Sequence, residues 1–296
     1  MKISKGDRLF DSLNIMFAIV VMIVVLYPLL FVISASFSSP AAINSGKVYL
    51  FPVGFTWDGY KAVFENSQVW VGFRNSFLYA GVAVVFNLFM TTVAAYPLSR
   101  KDFRYRNAVM YAFAFTMYFG GGLIPTYLVI KQLGLIDTFW VMVIPGAMSV
   151  FNVILMRTYI QTSIPELLQE AARMDGCSDF RYLTSILVPL CRPILAVIAL
   201  YVAVGSWNSY FNALIYLSSD ELYPIQIFLR NILAMNQFDP QMMTKIQDPS
   251  IIESKLGMQA LLKYTLIVVS ILPVLMIYPF VQKHFIKGIQ LGAIKG

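Results

Sequence analysis

Six stretches of 19 or more residues carry no Asp, Glu, Lys or Arg, and no other feature of the chain limits its fold as strongly. A helix needs about 20 apolar residues to cross a hydrocarbon core. In lipid the backbone must satisfy its own hydrogen bonds, so stretches this long read as membrane helices. The spans are expected at about 13–35, 75–99, 107–130, 138–157, 193–219 and 264–282. With 58% hydrophobic and 12% charged residues, the chain lies far from the composition of a soluble domain. The fold class that follows is an all-α membrane protein with six transmembrane helices, one domain over residues 1–296.

Charge gives the orientation. With the N-terminus inside, the inner segments hold 14 Lys plus Arg against 7 Asp plus Glu, and the outer segments hold 8 and 8. All of the net charge of +7 then lies on one side. This positive-inside asymmetry places both termini, the loop 163–189 and the tail 283–296 in the cytoplasm, with the long loops 37–74 and 220–263 outside. Because the basic residues are spread over every inner segment, and form no single patch, a nucleic-acid partner is excluded. Cys177 and Cys191 both fall on the inner side, where no structural disulfide or metal site is expected. His284 is the only histidine, which excludes a histidine pair or triad.

The longest charged interruption on the inner side is 163–193. Ser163 and Glu166 have the spacing of a capping box, Pro165 suits a first helical turn, and Gly176 marks a stop. Glu166, Glu170 and Arg173 share one polar face, flanked by Ile164, Leu167, Leu168, Ala171 and Met174. A second short helix is expected from Ser178 or Asp179, ending before Pro189. The result is a helix, turn, helix knob at the membrane surface.

Elsewhere, Pro28 is expected to kink or break the first span. Phe55, Trp57 and Tyr60 mark an outer segment anchored at the headgroup level. Tyr118 precedes Phe119 and three glycines centred on Gly121, with Pro125 following; that span is irregular, either as a gate or as a packing bend. Asn152 lies within the fourth span. The fifth carries Trp207, Asn208, Tyr210, Asn212 and Tyr216, with Asn208 and Asn212 four apart on one helical face. Amides beside aromatic rings suit sugar hydroxyls and ring faces in a cavity, or else they glue helices together.

Glu170-Ala171-Ala172, Gly176 after three residues, and Ile186 to Pro189 (I-L-V-P) after nine more resemble the EAA loop of permease subunits in binding-protein-dependent ABC importers. Trp207 and Asn208 are similar to a pattern that follows this loop in sugar permeases, and the closing G-A-I-K-G, with Gly292, Lys295 and Gly296, resembles the C-terminal signature of maltose-type second permeases. The resemblance implies a bacterial inner or plasma membrane protein that forms half of a carbohydrate pathway. It implies that Glu166, Glu170, Ala171, Ala172, Arg173, Asp175, Gly176, Ile186 and Pro189 dock on a cytoplasmic ATPase, which the tail also meets. The partners implied are a homologous permease, two ATPase subunits that bind ATP and Mg, an extracytoplasmic solute-binding protein, and a sugar or oligosaccharide. The loop 220–263 would meet the binding protein, with 237–250 entering its cleft. This chain has no phosphate-binding G-x-x-x-x-G-K-[ST] motif and binds no cofactor itself. An ion-coupled transporter or channel is the alternative, and the absence of ionisable residues from the runs argues against it. A membrane enzyme would need paired carboxylates, an activated nucleophile or metal ligands, which this sequence does not offer.

Overall fold

A computed structural model describes residues 5–235 and 257–277, and every described residue outside the loops and turns is helical. The chain divides into two compact units, Met1–Trp70 with Phe228–Leu272, and Val71–Ile227 with Pro273–Gly296.

In the first unit, α1 (Lys5–Ser36) passes Pro28 as one continuous helix. The expected break is absent, the helix running on for about two further turns beyond Pro28. Every residue from Gly6 to Leu30 is exposed, as suits a helix surrounded by lipid. Two short helices follow, α2 (Pro40–Asn44) and α3 (Asp58–Glu65). Phe37, Phe55, Trp57 and Tyr60 interlock, with ring centroids 4.7 to 5.7 Å apart. Tyr60 also shares a 2.9 Å hydrogen bond with Ser36.

The second unit holds most of α4 (Ser67–Ser99), then α5 (Arg106–Tyr118) and α6 (Leu123–Gln132), which meet at 111°. The break falls on Gly120 to Gly122, and Gly122 takes φ +83°, a conformation that side chains with a Cβ resist. Two 3₁₀ turns, Phe139–Met142 and Ile144–Gly146, lead at 47° into α7 (Val150–Ser163). Next come α8 (Glu166–Met174) and α9 (Asp179–Tyr182), a π turn at Leu183–Leu187, and α10 (Val188–Leu190). The bundle closes with α11 (Arg192–Trp207), set at 79° to the helices before it, α12 (Tyr210–Tyr216) and the start of α13 (Ile225–Met235). A further helix, α14 (Gly257–Ile277), is divided between the units. Among the described residues, three helices are long and apolar enough to span a membrane, and up to six spans result if each bent pair is one.

Two apolar clusters organise this unit. One joins Ala95, Tyr96 and Leu98 of α4 to Val153, Met156 and Ile160 of α7, and to Ala172, Tyr182, Leu187, Cys191 and Ile198. The other gathers Ile130, Val141, Ala213, Tyr216, Leu217 and Ile227. Near the second cluster, the N–H groups of Ser218 and Ser219 (2.8 and 2.9 Å) and the Ser219 hydroxyl (2.5 Å) all donate to the Asp137 carboxylate.

Two expectations for the knob change. Ser163 ends α7 and caps nothing, because the preceding helix runs on to it and Pro165, already extended, becomes the N-cap of α8. The second segment continues past Pro189 to Leu190. Pro189 directly follows the π turn, an irregularity at which a proline is accommodated.

Candidate coupling surface and transport cavity

α8 turns one side inward and the other to solvent. Ala172 is 8% exposed in the apolar cluster, whereas Ala171, Glu166, Glu170 and Arg173 are exposed. Gly176 takes φ +74° after Asp175, so that the Cys177 N–H turns back onto the Ala172 carbonyl at 2.9 Å. This closes the helix with the left-handed glycine that its position demands. Ser178 caps α9 by accepting from the Arg181 N–H at 3.3 Å. Ile186 lies half-buried in the π turn against the cluster. Leu167, Met174 and Phe180 protrude, 74%, 88% and 76% exposed.

The polar face of α8 is engaged within the chain. Lys101 Nζ donates to Glu166 at 2.5 Å. Arg100 grips Asp102 with two parallel bonds of 2.5 and 2.8 Å, and reaches Asp179 at 2.7 Å. Arg173 reaches the same Asp102 at 2.9 Å and lies 3.8 Å from Asp179. The Tyr96 hydroxyl receives Arg100 at 3.1 Å and donates to Asp179 at 3.3 Å. The hydrogen bond from Arg100 holds the Asp102 carboxyl below its ordinary range, and the same bond raises the guanidinium further above its own. Glu170 makes no ion pair with any described residue and remains available.

Between the two apolar clusters lies a cavity of about 640 Å³ with no charged residue in its lining. Its polar groups include Asn87, Ser149, Asn152, Ser206 and Asn212. Asn87, 2% exposed on α4, donates to the Gly146 carbonyl at 3.1 Å and accepts from Asn152 at 3.0 Å and Thr91 at 3.2 Å. The buried Ser206 hydroxyl has no hydrogen-bond partner among the described residues.

The residues expected along a pathway therefore divide. Asn152 and Asn212 line the cavity. Asn208 does not join Asn212 on one face, because α11 ends at Trp207 and α12 begins at Tyr210, so the spacing of four spans a break. Trp207 is buried against Phe77, ring centroids 5.1 Å apart, and Tyr216 is buried over Tyr127 at 6.2 Å; both act in packing. Tyr210 is exposed beside Phe211, and Tyr118 and Gly121 lie exposed at the α5–α6 break, all outside the cavity lining. The tail residues Gly292, Lys295 and Gly296 and the segment 237–250 lie outside the described residues. Sequence reasoning overlooked Asn87, Asp102 and Asp179. Asn87 carried the same signal as Asn152, an amide within an apolar run, and Asp102 stands alone as an acid among four basic residues.

No protein-family model matches the chain. It is 36% identical over 293 residues to the protein LplC of Bacillus subtilis (strain 168), covering 99% of this chain and 97% of that one. It is equally 36% identical to the polygalacturonan/rhamnogalacturonan transport system permease protein YtcP of the same organism, covering 98% and 99%. Identity is 28% over 303 residues to the arabinooligosaccharides transport system permease protein AraQ of Halalkalibacterium halodurans. Among solved structures, a chain of a bacterial ABC transporter involved in the import of the acidic polysaccharide alginate matches with a TM-score of 0.85 and 34% identity, covering 95% of this chain and 98% of that one.

Proposed function

We propose, from the premise that this chain belongs to the permease subunits of sugar-importing ABC transporters, that it forms half of an oligosaccharide pathway whose motions are driven through α8. The reading takes three continuous helices and three bent pairs as six spans, with both termini cytoplasmic and the coupling loop 163–189 between the fourth and fifth. A homologous permease supplies the other half, two ATPase subunits bind ATP and Mg, and a solute-binding protein delivers substrate from outside. The relatives' names support a polymer-derived oligosaccharide as cargo. The uncharged cavity supports contacts from Asn152, Asn212 and Ser206 to sugar hydroxyls in this half.

The observation that carries the coupling assignment is the form of the knob. An exposed helix closed by a left-handed glycine presents Leu167, Met174 and a free Glu170 outward, and is joined through single short turns to α7 and α9. The ATPase dimer, on closing, would move this knob as a body and reorient the helices that line the cavity. Gly292, Lys295 and Gly296 of the tail are proposed to meet the same partner.

Co-expression with the ATPase and partner permease tests this. Co-purification of the ATPase is expected with the parent chain, and Glu170→Lys is expected to insert in the membrane but lose ATPase binding and uptake. Full uptake by Glu170→Lys would overturn the docking assignment.

A further inference from the structure

We propose that the inner turn 100–102 is a second coupling element, a charged clamp that makes α4 follow α8. This rests on the reading of α8 as the ATPase contact. A lever attached only through its own chain would act on α7, which precedes it, and on α11, which follows; α4 lies some sixty residues earlier in sequence. Yet the end of α4 is tied to the knob at three points: Lys101 to Glu166 at the start of α8, Asp102 to Arg173 at its end, and Arg100 to Asp179 at the start of α9.

Exposed ion pairs taken singly contribute little, and Lys101–Glu166, with both side chains more than half exposed, is such a pair. Arg100 is different. Its side chain is 12% exposed, its fork binds Asp102 at both oxygens, and its remaining nitrogen meets Asp179 and Tyr96. The apolar cluster beneath also joins α4 to α8, but apolar contact is non-directional and permits sliding. The fork lies within the turn and holds Arg100 and Asp102 as one unit, from which single charge-assisted bonds cross to Asp179 and Arg173 of the knob; being directional, these fix register as a transmitting joint needs.

The clamp has a consequence at the cavity. α4 carries Asn87, and Asn87 is bonded to Asn152 of α7. Displacement of α8 thus reaches this amide pair from two sides, along α7 through the chain and along α4 through the clamp. The two helices would then move together, keeping the pair intact while the cavity changes its access.

The importer, reconstituted with its partner permease and ATPase subunits, provides the test without knowledge of the sugar. A Ser149→Cys reporter in the cavity lining is labelled from outside by a membrane-impermeant maleimide, with no nucleotide and with ATP plus vanadate, against the same importer lacking the reporter. The parent is expected to change its labelling rate on vanadate trapping. Arg100→Lys, which keeps the charge but loses the fork, and Asp102→Asn are expected to shrink that change by about threefold while trapped nucleotide per ATPase persists. Arg173→Gln shrinks it too, and Asp102→Asn with Arg173→Gln is expected to be no worse than the weaker single variant, since the Asp102–Arg173 link is shared and is already lost in either single. A full response in Arg100→Lys and Asp102→Asn, or a double variant whose loss is the product of the two singles, would overturn the clamp. Should Arg100→Lys not assemble, Asp179→Asn decides the question, with a shrunken response expected and a full response counting against the clamp. Failure of the docking reading shows separately: Glu170→Lys would then retain both ATPase and response, and the clamp would fall with it.

Discussion

Replacing Asn87 by alanine should destabilise the bundle by more than any other single amide truncation in the cavity. The side chain makes three hydrogen bonds, to Gly146, Asn152 and Thr91, on three stretches of chain. Side-chain hydrogen bonds inside membrane bundles average about 0.6 kcal/mol, so three give roughly 2 kcal/mol. Leaving a buried group unpaired costs about 1–3 kcal/mol and would raise the total. Asn87, Gly146 and Asn152 all line the cavity, however, where water can replace the lost partner, so the lower figure governs. Asn152→Ala loses only the bond to Asn87 and should cost about 0.6 kcal/mol. The double variant should then fall short of the sum of the singles by about that same amount, which is the shared bond. Unfolding of the purified importer by sodium dodecyl sulfate, followed by circular dichroism, measures all three. A loss below about 0.5 kcal/mol for Asn87→Ala, or strict additivity in the double variant, would refute the idea that this amide joins α4 to α7.

Gly176→Val forces a β-branched residue into φ +74°, at a strain of about 1–2 kcal/mol or more, and is expected to fray the end of α8 and reduce ATPase co-purification while membrane insertion is unchanged. Asp137 should make the outer turn acid-sensitive. Its carboxyl is held below the ordinary range by the Ser219 hydroxyl first and then by the Ser218 and Ser219 N–H groups. A depressed folded value means that the stabilisation is fully present above the unfolded value of about 3.9 and is lost as pH falls through the lower folded value. Protection factors against hydrogen exchange at the Ser218 and Ser219 amides should therefore fall only below about pH 4 in the parent, and Asp137→Asn should show lower protection with no such pH step.

What the sequence made legible follows from the strength of each signal. Long uncharged runs are a bulk property of the solvent they require, and α1, α4 and α14 fall where the runs do. The glycines at 120–122 and 176 act through sterics alone, and the chain breaks or turns at both. Features that depend on two segments meeting were hidden. Ser163 with Glu166 has the spacing of a cap, but α7 extends through Ser163 because its apolar residues continue to pack on α4. Asn208 and Asn212 have the spacing of one helix face, but Asn208 lies in the two-residue break before α12. Arg100 and Lys101 entered the sequence reading only as part of the basic charge of the inner segments; that they pair with Asp179 and Glu166 required the fold.

The distribution of polar groups in the bundle reconciles two opposed demands. A sugar pathway needs amides and hydroxyls at mid-membrane, and each such group is expensive in lipid unless it is paired. Here the deeper members pair with one another: Asn87 binds Asn152, Thr91 and the Gly146 carbonyl, and all of these partners belong to α4, α7 or the turn before it. Ser206, whose hydroxyl has no partner among the described residues, and Asn212 line the same cavity from α11 and α12. The network side is thus fixed by internal bonds, and the α11–α12 side keeps hydrogen-bonding capacity to spare. Under the proposed coupling, α11 is the helix into which the knob leads, so the spare capacity would sit on the wall that the lever moves. A Ser206→Ala variant should accordingly leave unfolding resistance unchanged or slightly increased, because an unpaired hydroxyl contributes no bond. A loss of more than about 1 kcal/mol in the same detergent titration would show that Ser206 has a partner within the folded bundle and that the spare capacity lies elsewhere.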